Sequence, residues 1–574
     1  MRKILSVLVV FFVFEGFSAA RSAQELVPAG SWVYDAMASL NIERGKMDFS
    51  FRAPMTIQEI RYYFDKIDSS SLSEAGKVQY KRLLDFFEKG HKVSFGADLL
   101  KLNLDFEANL EAYYKTNDEI GWVYDRYKKK PFFLIPFGLS LGDYCAIEMD
   151  LNLGASKGTR MQNDNYFNLP LADVAHDFDL NFPSNVYGCT GAMITENTGF
   201  TFRLGMGETS FNRSLSGSVA ESEYFTGSAY GALSIFSPNF RYEFRINQFN
   251  PDKFMYTHEL SAIFFEKLQF TARESLVVFA PLELRYMVPL SIYHGLSPWR
   301  DYGTDDETMG GESHTCDYML LKLEWAACKS LRVYGVMAMD QFQAPNESSD
   351  SNDSTPNGFG FQAGAESYIP AGKGYVHLWL EGTYTQPYMY IKGSPNWSLC
   401  RAYYENVSPT RNTPIYEWLG TPWGPDTVGG ELLAGYEVPE KWSLSFGYVF
   451  KACGEYSGTK VFNKKLGYDG NTASDIDLHN WAYPDYKYSQ EADIADKSDE
   501  SRKDAKKRQG YSTPHGTAEL YNRFSVRGMY YINPAWTVTV QPSFVVVFNS
   551  GNTKGNTETG FEIACSTNYK FGKK

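Results

Sequence analysis

Between residues 100 and 115 the chain changes side-chain character at every step. Leu100, Leu102, Leu104, Phe106, Ala108, Leu110, Ala112 and Tyr114 make one set, and Lys101, Asn103, Asp105, Glu107, Asn109, Glu111, Tyr113 and Lys115 the other. Successive side chains of a strand point to opposite faces, so the stretch predicts one strand with an apolar face and a polar, largely ionised face. Two environments suit it: an antiparallel sheet wetted on one side, or a transmembrane barrel with lipid outside and water within. At about 3.3 Å per residue it runs roughly 50 Å, longer than a globular strand needs and enough to cross a bilayer obliquely.

The same period of two returns throughout the chain after residue 93. Cys145, Ile147, Met149, Leu151 and Leu153 alternate with Ala146, Glu148, Asp150, Asn152 and Gly154. Phe240, Tyr242, Phe244 and Ile246 alternate with Arg241, Glu243, Arg245 and Asn247, and Met319, Leu321, Leu323 and Trp325 with Leu320, Lys322, Glu324 and Ala326. A last repeat sets Phe561, Ile563, Cys565 and Tyr569 against Glu562, Ala564, Ser566 and Asn568. Each signal is weak alone, but their recurrence predicts a mainly β chain whose residues 93–574 form a large antiparallel transmembrane β-barrel. Allowing about 25–30 residues per strand and connector gives about 16–18 strands. Tight turns at 370–374, 438–441 and 531–535 alternate with long polar connectors at 156–200, 345–358 and 455–517, the latter expected as extracellular loops.

Before residue 93 the period is helical. Val33, Met37 and Leu40 share one face behind a Ser31 cap, Thr56 and Glu59 form a capping box, and a third helix over 72–88 starts at Ser73 and ends at Gly90. Residues 21–92 are therefore expected to form a small periplasmic α-helical domain. Met1-Arg2-Lys3, the apolar run 4–14 and the small residues Ser18-Ala19-Ala20 predict a secretory signal peptide over residues 1–20. The barrel is then expected in a bacterial outer membrane, with lipid and the barrel-assembly machinery as partners.

Composition sharpens this picture. With 41 Phe and 40 Tyr but a mean hydropathy of −0.36, the chain has the aromatic girdles and lipid belt of a barrel offset by a polar lumen and loops. A net charge of −13 without a basic stripe argues against nucleic-acid binding. The seven cysteines show neither CxxC nor ligand spacing, so no metal or cofactor is expected; Cys145 and Cys565 fall on apolar strand faces and read as lipid-facing. No nucleophile elbow is present and an enzyme is not expected; the nearest catalytic reading would set a serine beside His258, His294, His314 or His377.

Two sets of residues carry candidate function. Lys101, Asp105, Glu107, Arg241, Glu243, Arg245 and Arg273 fall on inward strand faces, where they either set the ion selectivity of a channel or pair to brace and plug the lumen. Trp299, Tyr302, Trp397, Tyr403, Tyr404 and Trp423 lie in or beside connectors, near Arg300 and Arg401. Their rings suit either an interfacial girdle or contact with sugar rings, with the guanidinium groups meeting hydroxyls.

An ordered set of segments resembles the Wzi-type capsule-assembly family of outer-membrane proteins. Val27-Pro28-Ala29-Gly30-Ser31-Trp32-Val33-Tyr34-Asp35-Ala36 is similar to its opening, followed by Pro54-Met55-Thr56. Phe202-Arg203-Leu204-Gly205 with residues 207–215 stands where its glycine-rich strand end lies. Glu283-Leu284-Arg285-Tyr286-Met287-Val288-Pro289-Leu290 and Leu419-Gly420-Thr421-Pro422-Trp423-Gly424-Pro425-Asp426 are similar to two further signatures. Gly205-Met206-Gly207-Glu208 departs from the more basic, Trp-containing segment expected there. The resemblance implies a barrel over a periplasmic helical bundle that holds exopolysaccharide at the cell surface without catalysis. The alternatives are an outer-membrane channel or substrate-specific transporter, or an adhesin built on the 455–517 loop.

Overall fold

The computed structural model describes residues 21–571 except 92, 98, 121–129, 154–165, 168–179, 182–185, 226–227, 297–314, 343–356, 393–397, 409–410, 456 and 458–511. Its wall is a closed antiparallel barrel of 18 strands. The ring closes where Glu107–Lys115 pairs with the last strand, Thr557–Lys570, and where Cys145–Leu153 pairs with Val186–Thr195. Closure leaves no unpaired strand edge, the condition for a sheet to stand in hydrocarbon.

The faces fall as the alternation dictates. Leu110 and Tyr114 are exposed while Asn109, Glu111, Tyr113 and Lys115 are buried in the lumen. On later strands Leu260, Phe270, Leu321, Leu323, Leu380, Phe446, Phe544 and Phe561 form an outward apolar belt. Cys145 and Cys565 share that outward set, and all seven cysteines are free. No helix among the described residues is long and apolar enough to cross a membrane.

Two expectations need correction. The 100–115 stretch is divided into Leu100–Leu104 and Glu107–Lys115. The register onto the facing strand is unchanged across the gap, from Leu104 opposite Phe137 to Glu107 opposite Leu134. That register sets Asp105 opposite Pro136, which has no N–H to donate, so the ladder lapses there while the alternation of faces continues. The connector expected over 156–200 contains wall strands instead: Val186–Thr195 and the start of Thr198–Gly207. Gly188, Thr190, Gly191 and Ala192 give that strand too little contrast between its faces to register as a period. Within the connector expected at 345–358, Gly358 already begins a strand, and residues 345–356 lie outside the described set, as do most of 455–517 and the proposed signal peptide 1–20.

Three helices precede the barrel: α1 (Trp32–Arg44), α2 (Ile57–Phe64) and α3 (Glu74–Lys89). Ser31, Thr56 and Ser73 cap them by accepting from the N–H groups of Val33, Glu59 and Gly76. The helices sit on the end of the barrel where the tight turns lie. Gly45 ends α1 with φ 65°, and a β-carbon there would lie 2.9 Å from the backbone nitrogen of Lys329, in a wall turn. The helices share one apolar core with Ile263, Ala326, Tyr368 and Tyr375 of the wall. Burying that apolar surface is what joins helical segment to barrel.

A second attachment lies at the start of the described chain. His91 bridges two carboxylates, Nε2 to Glu25 at 2.9 Å and Nδ1 to Asp105 at 2.7 Å. Burial and the nearby Arg21 push the imidazole down, but its bonds to Asp105 and Glu25 outweigh them and hold it at about 9. Glu25, buried yet bonded to His91, is held below the usual carboxylate range. A histidine raised from 6.5 in the unfolded chain to about 9 contributes stability that is fully present below pH 6.5 and lost as pH rises through 9. Hydrogen exchange at residues 21–25 is expected to speed up between pH 7 and pH 10. His91→Gln is expected to exchange fast at both, with no pH step beyond that of free amides.

Candidate functional site

The lumen is occupied by the chain itself. Two connectors on the end opposite the helices send residues into the barrel: 208–225 from the first, and 388–391, 399–400 and 418–419 from the second. Phe211, Val219, Ala220, Tyr390, Leu399 and Leu419 from these connectors are buried against Met255, Val277, Tyr318, Leu320 and Ala338 on the inner wall. Tyr318 donates its hydroxyl proton to the carbonyl oxygen of Ala220 at 2.7 Å, and Gln362 Nε2 donates to that of Gly217 at 3.0 Å. Side chains at zero exposure cannot line a water-filled passage, so this half of the lumen is a dry core.

Below that core lies a buried ion network joining all three parts of the molecule. Glu243 on the wall accepts from Arg203 at 2.6 Å and Arg241 at 2.9 Å, with Arg52 at 3.6 Å and Arg245 at 3.8 Å. Arg241 also reaches Glu59 of α2 at 2.8 Å. Glu221 of the first inserted connector pairs with both Arg245 and Arg273, and Arg273 returns to Glu259 at 3.0 Å. Arg52 pairs with Glu259 as well. Five arginines meet four glutamates here, and each charge makes at least one direct hydrogen bond, which lowers the cost of burying ions. Burial raises the Glu221 carboxyl, but the guanidinium groups of Arg245 and Arg273 override it and hold the group at about 2.

Two further anchors fix residues 213–216. Arg213 meets Glu366 at 2.8 Å and lies 4.7 Å from the centre of the Trp379 ring. The N–H groups of Leu215 and Ser216 donate to the two oxygens of Glu381 at 3.0 and 2.8 Å. The insert is thus tied to wall carboxylates on two successive strands, by the Arg213 side chain at Glu366 and by backbone N–H groups at Glu381.

On the opposite side, between the helices and the strands nearest the chain's end, a cavity of about 890 Å³ remains. Glu107, Glu111, Asp150 and Arg527 line it from the wall, and Trp32 and Arg82 from the helices. Its lining mixes charges of both signs with apolar side chains such as Leu134, Met149 and Leu433.

Of the inward charges read from sequence, Arg241, Glu243, Arg245 and Arg273 meet in the network. Asp105 and Glu107 face the lumen elsewhere, paired with His91 and, at 2.8 Å, with Lys570. Lys101 lies on the same strand face as buried Asn103, apart from the network. The sequence did not reveal Arg52, Glu59, Arg203, Glu221 and Glu259 as members. Glu221 and Arg213 are long charged side chains inside a Ser-rich segment, the one signal that these residues face wall charges rather than water.

The aromatic set fares differently. Trp299, Arg300, Tyr302 and Trp397 lie outside the described residues. Tyr403 and Tyr404 lie on Cys400–Ser408, which pairs with Arg411–Trp418 in a hairpin within the second inserted connector. Arg401 on the same strand faces Glu417 at 3.8 Å. Trp423 is a correction: it is 4% exposed, turned inward where Thr427 Oγ1 donates to the carbonyl oxygens of Trp423 and Pro425 at 3.3 and 3.1 Å. A ring packed this way offers no face to a sugar from solution. Among the described residues the serine–histidine reading finds one pair, Ser291 Oγ and His258 Nε2, at 3.4 Å. Ser291 donates its hydroxyl proton to the Val288 carbonyl at 2.8 Å, so the histidine does not receive it.

No protein-family model and no curated protein sequence matches this chain. Among solved structures the chain is similar to Wzi of Escherichia coli, an outer membrane protein involved in group 1 capsule assembly and described as a carbohydrate-binding β-barrel. The identity is 12%, the match covers 96% of this chain and 99% of that one, and the TM-score is 0.51. It is also similar, at 8% identity, to the outer membrane protein OprD of Pseudomonas aeruginosa, covering 82% of this chain and 94% of that one with a TM-score of 0.37. The outer membrane channel DcaP of Acinetobacter baumannii matches at 8% identity over 83% of this chain and 100% of that one, with a TM-score of 0.33. The fold is that of a bacterial outer-membrane β-barrel.

Proposed function

We propose that this outer-membrane β-barrel is a non-catalytic scaffold that holds exopolysaccharide at the cell surface, in the manner of the capsule-assembly proteins it resembles. The observation that carries the reading is the filled lumen. A diffusion channel needs a hydrated path, whereas here parts of two connectors are built into the interior by a dry apolar core and a buried ion network. What remains for function is the outer end. Trp299, Arg300, Tyr302, Trp397, Arg401, Tyr403 and Tyr404 are the proposed glycan contacts, and Trp423 is withdrawn from that set. Overall likeness in shape to a carbohydrate-binding barrel supports the same reading.

The test is retention of the source cell's own surface polysaccharide by the full chain in lipid nanodiscs. Binding is expected, and Arg401→Ala is expected to weaken it without altering the unfolding midpoint. Absence of binding, with the barrel folded, would overturn the scaffold role. The 890 Å³ cavity favours the second reading, a channel, and a steady ionic conductance would promote it.

A further inference from the structure

Residues 281–296 follow a wall strand at the outer end of the barrel, yet they fold neither into the lumen nor out into water. They lie against the outside of the wall. Tyr286 and Tyr293 are fully buried and form one cluster with Tyr256, Leu276, Val278 and Ala280. On Lys253–Phe264 and Leu268–Phe279 these wall residues share the outward alternation with Leu260 and Phe270, which are 41% exposed in the apolar belt.

The strap covers polar groups that the outward face otherwise carries into the membrane. His258 stacks on Tyr293 at 4.7 Å and bonds through Nδ1 to the Tyr242 hydroxyl at 2.8 Å. Glu274 accepts from the backbone N–H of His294 at 2.8 Å, and Asp317 meets the His294 ring at 3.1 Å. Tyr256 accepts from the N–H of Glu283 at 2.9 Å. Three ionisable residues on a lipid-side strand face thus gain partners from one short segment, which removes much of the penalty for placing them beside hydrocarbon.

The strap's outward side is mostly aliphatic, with Arg285, paired with Glu283, and His294, paired with Asp317, as its exposed polar residues. Leu284 is 76% exposed and Ile292 71%, and Leu282, Val288 and Leu290 are each at least half exposed. Five large aliphatic side chains in eleven residues would be an aggregation hazard in water. They border the lipid belt without interruption, since Leu260 and Met319 follow His258 and Asp317 by two residues on the same strand faces.

We propose that residues 281–296 form a strap embedded in the outer leaflet, with Leu282, Leu284, Val288, Leu290 and Ile292 among lipid acyl chains. The strap widens the lipid-facing surface on one side of the barrel and lets His258, Glu274 and Asp317 stand at membrane depth.

The test reconstitutes the full chain in vesicles containing a phosphatidylcholine with a diazirine on its acyl chain. After photolysis, adducts are mapped by mass spectrometry. Adducts are expected on residues 282–292 at a yield matching the belt residues 319–325. Leu284→Glu combined with Leu290→Glu is expected to abolish the strap adducts while those at 319–325 persist, which shows the barrel still folded and inserted. Adducts on the belt with none on the strap would overturn the proposal. So would modification of the strap by a water-soluble diazirine, which places it in solvent. Protection from both reagents in native membranes, lost on purification, would assign the face to a protein partner and likewise overturn it.

Discussion

Replacing Glu243 by alanine is expected to lower the unfolding free energy by about 3–5 kcal/mol, the cost of breaking a buried ion cluster on one side. Glu243 is shared by Arg203, Arg241, Arg52 and Arg245. Without it four guanidinium groups face one another in a water-poor interior, and only Glu59, Glu221 and Glu259 remain to offset them. Urea unfolding in detergent micelles measures the loss as a lower midpoint at similar slope. Leu260→Ala on the lipid side is the control, and its midpoint is expected to stay near the wild type because no buried contact is removed. An unchanged midpoint for Glu243→Ala would mean that the network is hydrated and does not hold the insert.

The second large effect is expected at Phe211. Its ring is fully buried inside the lumen, with Arg273, Lys322 and Arg52 at 4.7, 5.2 and 5.6 Å from its centre. Truncating a buried phenylalanine costs about 3–5 kcal/mol through lost transfer energy and the void left behind. Loss of the ring face adds about 0.5–2 kcal/mol for each cation it held. Phe211→Ala is therefore expected to loosen residues 208–227 before the wall unfolds. Limited proteolysis should cut within 208–225 in the variant and leave the wild type intact. Equal resistance in both would show that the connector is held by its polar anchors at Glu366 and Glu381 alone.

The wall was legible in the sequence because a barrel strand has only two surroundings. Lipid selects Leu110, Leu260 and Phe561, the lumen selects Glu111, Glu259 and Glu562, and a period of two follows directly. Helix starts were legible for a similar reason, since Ser31, Thr56 and Ser73 act within one turn of themselves. The interior was not. The burial of residues 208–225 could not be read because their partners, such as Glu366 and Glu381 on Gly358–Ala371 and Gly374–Thr385, are more than a hundred residues away. Charge pairing across that separation leaves no local period. The burial of Trp423 likewise leaves no local period in the sequence. Pro136 interrupting the ladder opposite Asp105 is a register effect, invisible until the two strands are aligned.

The network also ties the helices to the barrel. Arg52 and Glu59 belong to the helical segment, Glu221 to the inserted connector, and the remaining charges to the wall. Each part compensates charges carried by the others, so displacing either insert would expose uncompensated ions to the lumen. Hydrogen-exchange protection is accordingly expected to be shared by residues 49–64 and 209–225 and lost together in Glu243→Ala.

The central claim, a lumen closed by the chain's own interior segments, is tested most directly by ionic conductance of the mature, full chain in a planar lipid bilayer. The account predicts insertion without a steady open-channel current across moderate applied voltages. A stable, ohmic conductance of the size expected for an open barrel of this strand number would contradict it, and would return the inward charges to the role of a selectivity lining.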